Sequence, residues 1–205
     1  MPATPRIAVV FYSSTGNLAA MAEAIGKGAE SHGAEVRLRI VPELAPPAAI
    51  AANPKWQAFV DAARYETATT DDLDWATGFA LGSPTRFGLP AGQLKEFLDT
   101  TGGLWAQGKL ADKVGTAFTS ASTGHGGLES TILAMNNVLY HWGSLVLPLG
   151  YGERHLMKES GNPYGGSFVS RSGAEPDAVA LEACRLQGVR LARFAGFVAD
   201  GLAGA

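Results

Sequence analysis

An apolar run that breaks into small hydroxyl residues and a glycine and then resumes at helical spacing, Arg6 to Leu18, constrains this chain more than any other stretch. Ile7 to Tyr12 is a continuous β-branched and aromatic run, the pattern of a strand covered on both faces in a parallel sheet. Leu18, Met21, Ala22, Ile25 and Ala29 then fall on one face of a helix. Between strand and helix, Ser13, Ser14, Thr15, Gly16 and Asn17 supply hydroxyls, a glycine that permits close backbone approach, and the unpaired N–H groups of a helix N-terminus. Such a loop suits an anion. The same residue types also serve an ordinary Ser/Thr helix cap.

The loop lacks the lysine and second glycine of G-x-x-x-x-G-K-[ST], so it is no ATP or GTP loop. It also lacks the G-x-G-x-x-G of a dinucleotide fingerprint. Its pattern resembles the flavodoxin phosphate loop, in which hydroxyls and backbone N–H groups bind the phosphate of FMN without a cationic side chain.

A chain of 205 residues can build one substantial core, and its apolar runs and Gly-rich turns predict a single α/β domain over 1–205. Sixteen Lys and Arg against 19 Asp and Glu give a net charge of -3, with no basic stripe, which argues against nucleic acid as a partner. The single cysteine, Cys184, excludes an internal disulfide and fits a reducing compartment. No signal-type apolar segment opens the chain, and no run approaches the roughly 18 apolar residues of a span. The expectation is a cytoplasmic protein without membrane insertion.

Further along, Glu35 to Val41 alternates as a second strand, so a right-handed crossover and parallel pairing are expected. Residues 42–72 form a Pro-rich excursion with a short helix around Trp56 to Ala63, read as a cover over one sheet edge. Phe79 to Gly82 is a third strand, followed by a loop, Ser83 to Gly88, and a helix opened by Pro90. Arg86 in that loop suits an anion or an aromatic ring, or else a surface ion pair. Thr101 to Trp105 reads as a glycine-permitted turn that throws Trp105 outward. Val114 to Ser120 is a fourth strand, leading into a third small, Gly-rich loop, Ala121 to Leu128. His141 lies just past the next helix, where a histidine commonly serves as a cap. Ser144 to Leu147 is a fifth strand, 148–176 a second long excursion, and Val179 to Gly201 the closing helix. Five strands alternating with helices predict a flavodoxin-like, doubly wound parallel sheet of order 2-1-3-4-5 with helices on both faces. Loops after strand C-termini line the ligand crevice in such a sheet.

Taken together, Gly82-Ser-Pro-Thr-Arg-Phe-Gly88, Phe97-Leu-Asp-Thr-Thr-Gly-Gly-Leu-Trp105, Ser120 to Gly127, Pro148-Leu-Gly-Tyr151 and Pro163-Tyr-Gly165 resemble the WrbA-type NAD(P)H:quinone oxidoreductases. The resemblance spans Arg6 to about Gly201. It implies that Ser13, Ser14, Thr15, Gly16, Asn17 and Leu18 hold the phosphate of FMN. Pro84, Thr85, Arg86, Phe87 and Gly88 would face the isoalloxazine, and Ser120, Ala121, Ser122, Thr123, Gly124, His125 and Gly126 the ring edge and ribityl side. Trp105 and His141 would shape the face taken by quinone and nicotinamide, with His141 reaching it from a neighbouring subunit. A dimer or tetramer is implied, with NADH or NADPH as co-substrate and no metal.

Three positions depart from the family pattern: Thr15 replaces an aromatic residue of some relatives, Leu128 a frequent glutamine, and Trp142 a second histidine. They bear on nucleotide choice. A flavodoxin-type electron carrier is the alternative reading, against which -3 is a weak charge for docking on basic partners.

Overall fold

The computed structural model describes residues 4–62, 64–152, 158 and 161–204. β1 (Arg6–Phe11) pairs in parallel with β2 (Glu35–Ile40) on one side and β4 (Gly78–Arg86) on the other. Beyond β4 lies β6 (Val114–Ala121), also parallel, and beyond it β7 (Leu145–Val146). The order β2-β1-β4-β6-β7 is the expected 2-1-3-4-5.

Among the described residues the sheet has eight strands rather than five. β3 (Glu66–Thr67) extends it beyond β2, β5 (Leu89–Pro90) makes an antiparallel hairpin with the end of β4, and β8 (Ser167–Val169) joins the far half of β6. β7 pairs with the start of β6 at Val114 and Gly115, and β8 with its end from Thr119 to Ala121. The second excursion therefore interrupts the fifth strand position and returns to finish it. Residues 153–157 and 159–160 of that excursion lie outside the described residues.

β1 shows why the run of apolar residues was needed. Ile7, Val9 and Phe11 enter one core with α1 (Asn17–Ser31) and α8 (Ala178–Ala203), while Ala8, Val10 and Tyr12 enter the other. The second core is closed by α4 (Thr70–Trp75), α5 (Gly92–Asp99) and α7 (Leu128–Trp142). α1 and α8 approach backbone to backbone, since a Cβ at Gly28 would overlap the Arg185 carbonyl and one at Gly188 the Ile25 carbonyl. Cys184 is fully buried in this layer, and burial pushes its thiol up to about 12, as suits an inert packing residue.

Several expectations need correction. The third strand does not stop at Gly82 but runs to Arg86, because Ser83 and Pro84 still pair with Thr119 and Ser120 of β6. Pro84 is tolerated there because β1 has already ended, so no donor is needed on that side. Pro90 sits in β5, not at the start of α5. The first excursion holds α2 (Pro47–Ala51), α3 (Pro54–Asp61) and β3 rather than one short helix. Thr101 to Trp105 does not need its glycines for a turn, since Gly102–Ala106 is a short helix, α6, and neither glycine has a positive φ, although Trp105 is exposed as expected. His141 lies within the last turn of α7, which ends at the left-handed Gly143.

Candidate functional site

Three strand ends, those of β1, β4 and β6, open on one cleft of about 130 Å³. Ser13, Ser14, Thr15, Asn17 and Leu18 form one wall, Pro84, Thr85 and Arg86 a second, and Ser120, Ala121 and Ser122 a third. The sheet order puts the parting of β1 and β4 at the centre, which is the topological switch point.

The loop from Ser13 to Leu18 is not an ordinary capped helix start. α1 begins at Gly16, which is left-handed at φ 98°, and no side chain caps it. Ser13 Oγ instead accepts the Gly16 N–H at 3.1 Å, one residue before the helix. Among the described residues no side chain caps the first N–H groups of α1, and Asn17 and Leu18 line the cleft, the arrangement that draws an anion. α7 starts in the same way at Gly127, φ 96°, also without a side-chain cap. α3 and α8, by contrast, are capped by Asn53 and Asp177. A larger cavity of about 570 Å³ beside β8 opens at the start of α8, where the Asp177 side chain accepts from the Ala180 N–H, and Leu128 at the start of α7 also lines it.

The second wall is a hairpin. Thr85 pairs with Pro90 and Arg86 with Leu89, so Phe87 (φ 54°) and Gly88 (φ 80°) form its two-residue turn, with positive φ at both positions. Phe87 is the most exposed large apolar residue described, at 105 %. The Thr85 hydroxyl donates to the Gly126 carbonyl at 3.2 Å and accepts from the Gly88 N–H at 3.2 Å and the Thr131 hydroxyl at 2.8 Å. That saturates it, so Thr85 ties the hairpin to the third loop and offers a ligand its backbone. Arg86 bonds its own Thr85 carbonyl at 3.1 Å and makes no ion pair among the described residues.

Thr123, Gly124 and His125 are exposed beyond the cleft wall, and Gly126 closes their turn by donating to the Thr123 carbonyl. Trp105 and His141 are brought together, for the Trp105 indole donates to the His141 carbonyl at 2.9 Å. They do not meet the cleft of their own chain. α7 runs from Gly127, which packs against Thr85 and Gly88 of the second wall, and at about 1.5 Å per residue His141 lies about 20 Å further along the helix. Trp142 is a core residue, edge-on to Phe79 at 5.5 Å.

Sequence reasoning missed two groups. Ser170, on the return from the second excursion, lines the cleft, and its N–H donates to the Ala121 carbonyl at 2.7 Å. Nothing short-range in 148–176 marks it, because its place depends on β8 pairing with β6. Behind the loop from Ser13 to Leu18, Glu43 accepts at Oε2 from the Tyr12 hydroxyl (2.8 Å) and the Trp56 indole (2.9 Å). At Oε1 it accepts from the N–H groups of Leu44 and Ala45 (2.9 Å each) and from Gln93 (2.8 Å). Burial alone would raise the Glu43 pKa, but the bonds from Ala45, Gln93, Tyr12 and Trp56 outweigh it and hold the carboxyl below its usual range. Burial, then the Glu43 carboxylate, push the Tyr12 hydroxyl well above an ordinary tyrosine, and Arg86 opposes them weakly.

Fold and cleft together define a flavodoxin-like protein with a cleft lined by serines and threonines at the switch point. Comparison with known proteins agrees. Residues 5–153 match the family of NADPH-dependent FMN reductases. The chain is 44 % identical over 171 residues to an NAD(P)H dehydrogenase (quinone) of Deinococcus radiodurans, covering 83 % of this chain and 86 % of the other. It is 40 % identical over 207 residues to one of Sinorhizobium fredii, covering 95 % and 99 %. Among solved structures, a WrbA-like flavodoxin of Agrobacterium tumefaciens superposes with a TM-score of 0.67 at 25 % identity, covering 94 % and 98 %. Flavodoxin 2 of Bacillus cereus shares the fold at 16 % identity, with a TM-score of 0.62 over 92 % and 99 %. The chain belongs to the NAD(P)H dehydrogenase (quinone) family of flavodoxin-like proteins.

Proposed function

We propose that this protein is an FMN-dependent NAD(P)H:quinone oxidoreductase that reduces quinones by two electrons in a ping-pong cycle. The observation that carries this reading is the start of α1 at Gly16–Asn17, which no side chain caps, at a cleft lined by serines and threonines from three loops. The residues present fit FMN: N–H groups and hydroxyls for a phosphate, and backbone at Thr85 to Phe87 for a flat ring. Bound FMN supplies the hydride acceptor and donor, so few acid or base side chains are required of the protein.

The chain's own part is binding, orientation and exclusion of water. Ser13 to Leu18 hold the phosphate, and the Thr85 hydroxyl fixes the hairpin against the third loop. Arg86, which makes no ion pair among the described residues, guides an anionic nucleotide or covers the ring edge. Trp105 and His141, away from the cleft walls of their own chain, serve the cleft of a neighbouring copy. Leu133 and Tyr140, two turns apart on α7, are 43 % and 62 % exposed, and β5 beside them exposes Leu89. This apolar face fits a second copy, so the active form is a dimer or tetramer built from one domain per chain.

The test is direct. The purified protein incubated with FMN should retain a yellow chromophore after gel filtration, and NADH or NADPH with benzoquinone should give parallel double-reciprocal lines. A protein that takes up no FMN overturns the reading, and intersecting lines remove the single shared pocket.

A further inference from the structure

We propose that Glu43 is a positioning residue that sets the spacing between the phosphate loop and the Thr85–Gly88 hairpin, and with it the affinity for FMN. The inference rests on the site assignment above. Backbone pairing between β1 and β4 ends where the Tyr12 N–H donates to the Gly82 carbonyl at 2.9 Å. Past that point the two chains part around the cleft, one into Ser13 to Leu18 and the other into the hairpin. Glu43 joins both sides. Tyr12, directly before Ser13, donates to Oε2, and Gln93, in the first turn of α5 after the hairpin, donates to Oε1. Gln93 also donates to the Tyr12 hydroxyl at 3.1 Å, which closes the triangle. Trp56 adds a third element, for α3 also carries Phe59, whose ring would lie 3.6 Å from a Cβ at Gly16.

The cluster accepts a carboxylate and nothing else of that shape. An indole N–H and a backbone N–H can only donate. Trp56 addresses Oε2, and Leu44 and Ala45 address Oε1, so either orientation of an amide would set its NH₂ against a fixed donor. A protonated carboxyl would have to give one of these accepting positions to its own O–H and so weaken the charge-assisted bonds. The side chain is therefore held ionised, with charge-assisted bonds on both oxygens.

A residue that only stabilises the fold would affect every flavin equally. A residue that sets the distance between two walls should matter for a ligand that grips both. FMN does so, and riboflavin, without the phosphate, does not. We expect Glu43→Gln to raise the Kd of the flavin-free full-length protein for FMN at least about tenfold, measured by quenching of flavin fluorescence, with riboflavin affinity changed less than about threefold. Asp72→Asn removes another buried carboxylate, bound by Thr69, Arg37 and Arg39 away from the cleft walls, and should leave both Kd values within about twofold. Equal losses for FMN and riboflavin, or no loss, overturn the proposal. If Glu43→Gln does not fold, Tyr12→Phe removes one bond of the triangle and must show the same selective loss in smaller measure. Ser13→Ala separates the two assignments: if it leaves FMN affinity unchanged, the site reading fails, whereas if it weakens FMN and Glu43→Gln does not, only the role of Glu43 fails.

Discussion

The Trp105 indole donates to the backbone carbonyl of His141 at 2.9 Å, so α6 and the end of α7 present these two residues as one unit, away from the cleft walls of their own chain. Trp105 is 57 % exposed, far more than a tryptophan kept only for packing. Two singly inactive variants should therefore complement each other. Trp105→Ala should lower kcat/KM for a quinone at least about tenfold while FMN still binds, and a variant of the phosphate loop should lose FMN. Mixed, dissociated and reassembled, the pair should regain activity, because some clefts then combine an intact loop with an intact Trp105 from the other copy. Mixtures no more active than their parents would place Trp105 outside the reaction.

Phe87 holds a positive φ that a bulky side chain rarely adopts, and its ring is exposed. Phe87→Asn creates the Asn-Gly pair that such two-residue turns prefer. The fold should gain roughly 0.5–1 kcal/mol and the melting temperature rise by about 1–4 °C. Quinone turnover should fall, since the strained ring would be kept for what it touches. A calorimetric scan and a steady-state assay of the same preparation check both halves.

Gly28 faces the carbonyl of Arg185 with no room for a side chain. Gly28→Ala forces α1 and α8 apart and should destabilise the protein by about 1–3 kcal/mol, as overpacking of a fixed backbone contact does. Denaturant unfolding should show the loss as a lower midpoint with an unchanged slope.

Acid stability follows from the carboxylates. Burial raises the Asp72 pKa, but bonds from the Thr69 backbone and hydroxyl, with Arg39 and Arg37, bring it below the ordinary value, as the Glu43 network does for Glu43. Folded values below the unfolded ones, which lie near about 4, mean that both contributions are complete above that pH. They are lost as pH falls through the depressed folded values. Lys113 acts at the other end. Burial lowers it to about 8 although its ammonium donates to the carbonyls of Leu73 and Asp74. Between about 8 and its unfolded value of about 10.4 the unfolded chain binds the extra proton, so this residue makes stability rise with pH. Lys113→Met should flatten the alkaline part of a plot of melting temperature against pH, and Asp72→Asn the acid part.

Much of this molecule is written locally. The unbroken apolar run of β1 demands cover on both faces, and the helical spacing of Leu18 to Ala29 provides one of them, so the strand–loop–helix unit and the sheet order could be read from residue types alone. The hydroxyls and Gly16 of the phosphate loop were legible for the same reason. Its meaning was not, because a capped helix start has the same composition. Only the backbone shows that Gly16 is left-handed and that no side chain takes the N–H groups of α1. The splitting of the fifth strand position, the arrival of Ser170 at the cleft and the convergence of Tyr12, Trp56 and Gln93 on Glu43 join residues tens of positions apart. No local propensity encodes such meetings; they follow from which strand ends at which register. Trp105 and His141 mark the same division: their residue types alone read as a packing ring and a helix-end cap, and only the tertiary structure brings them together, away from the cleft walls of their own chain.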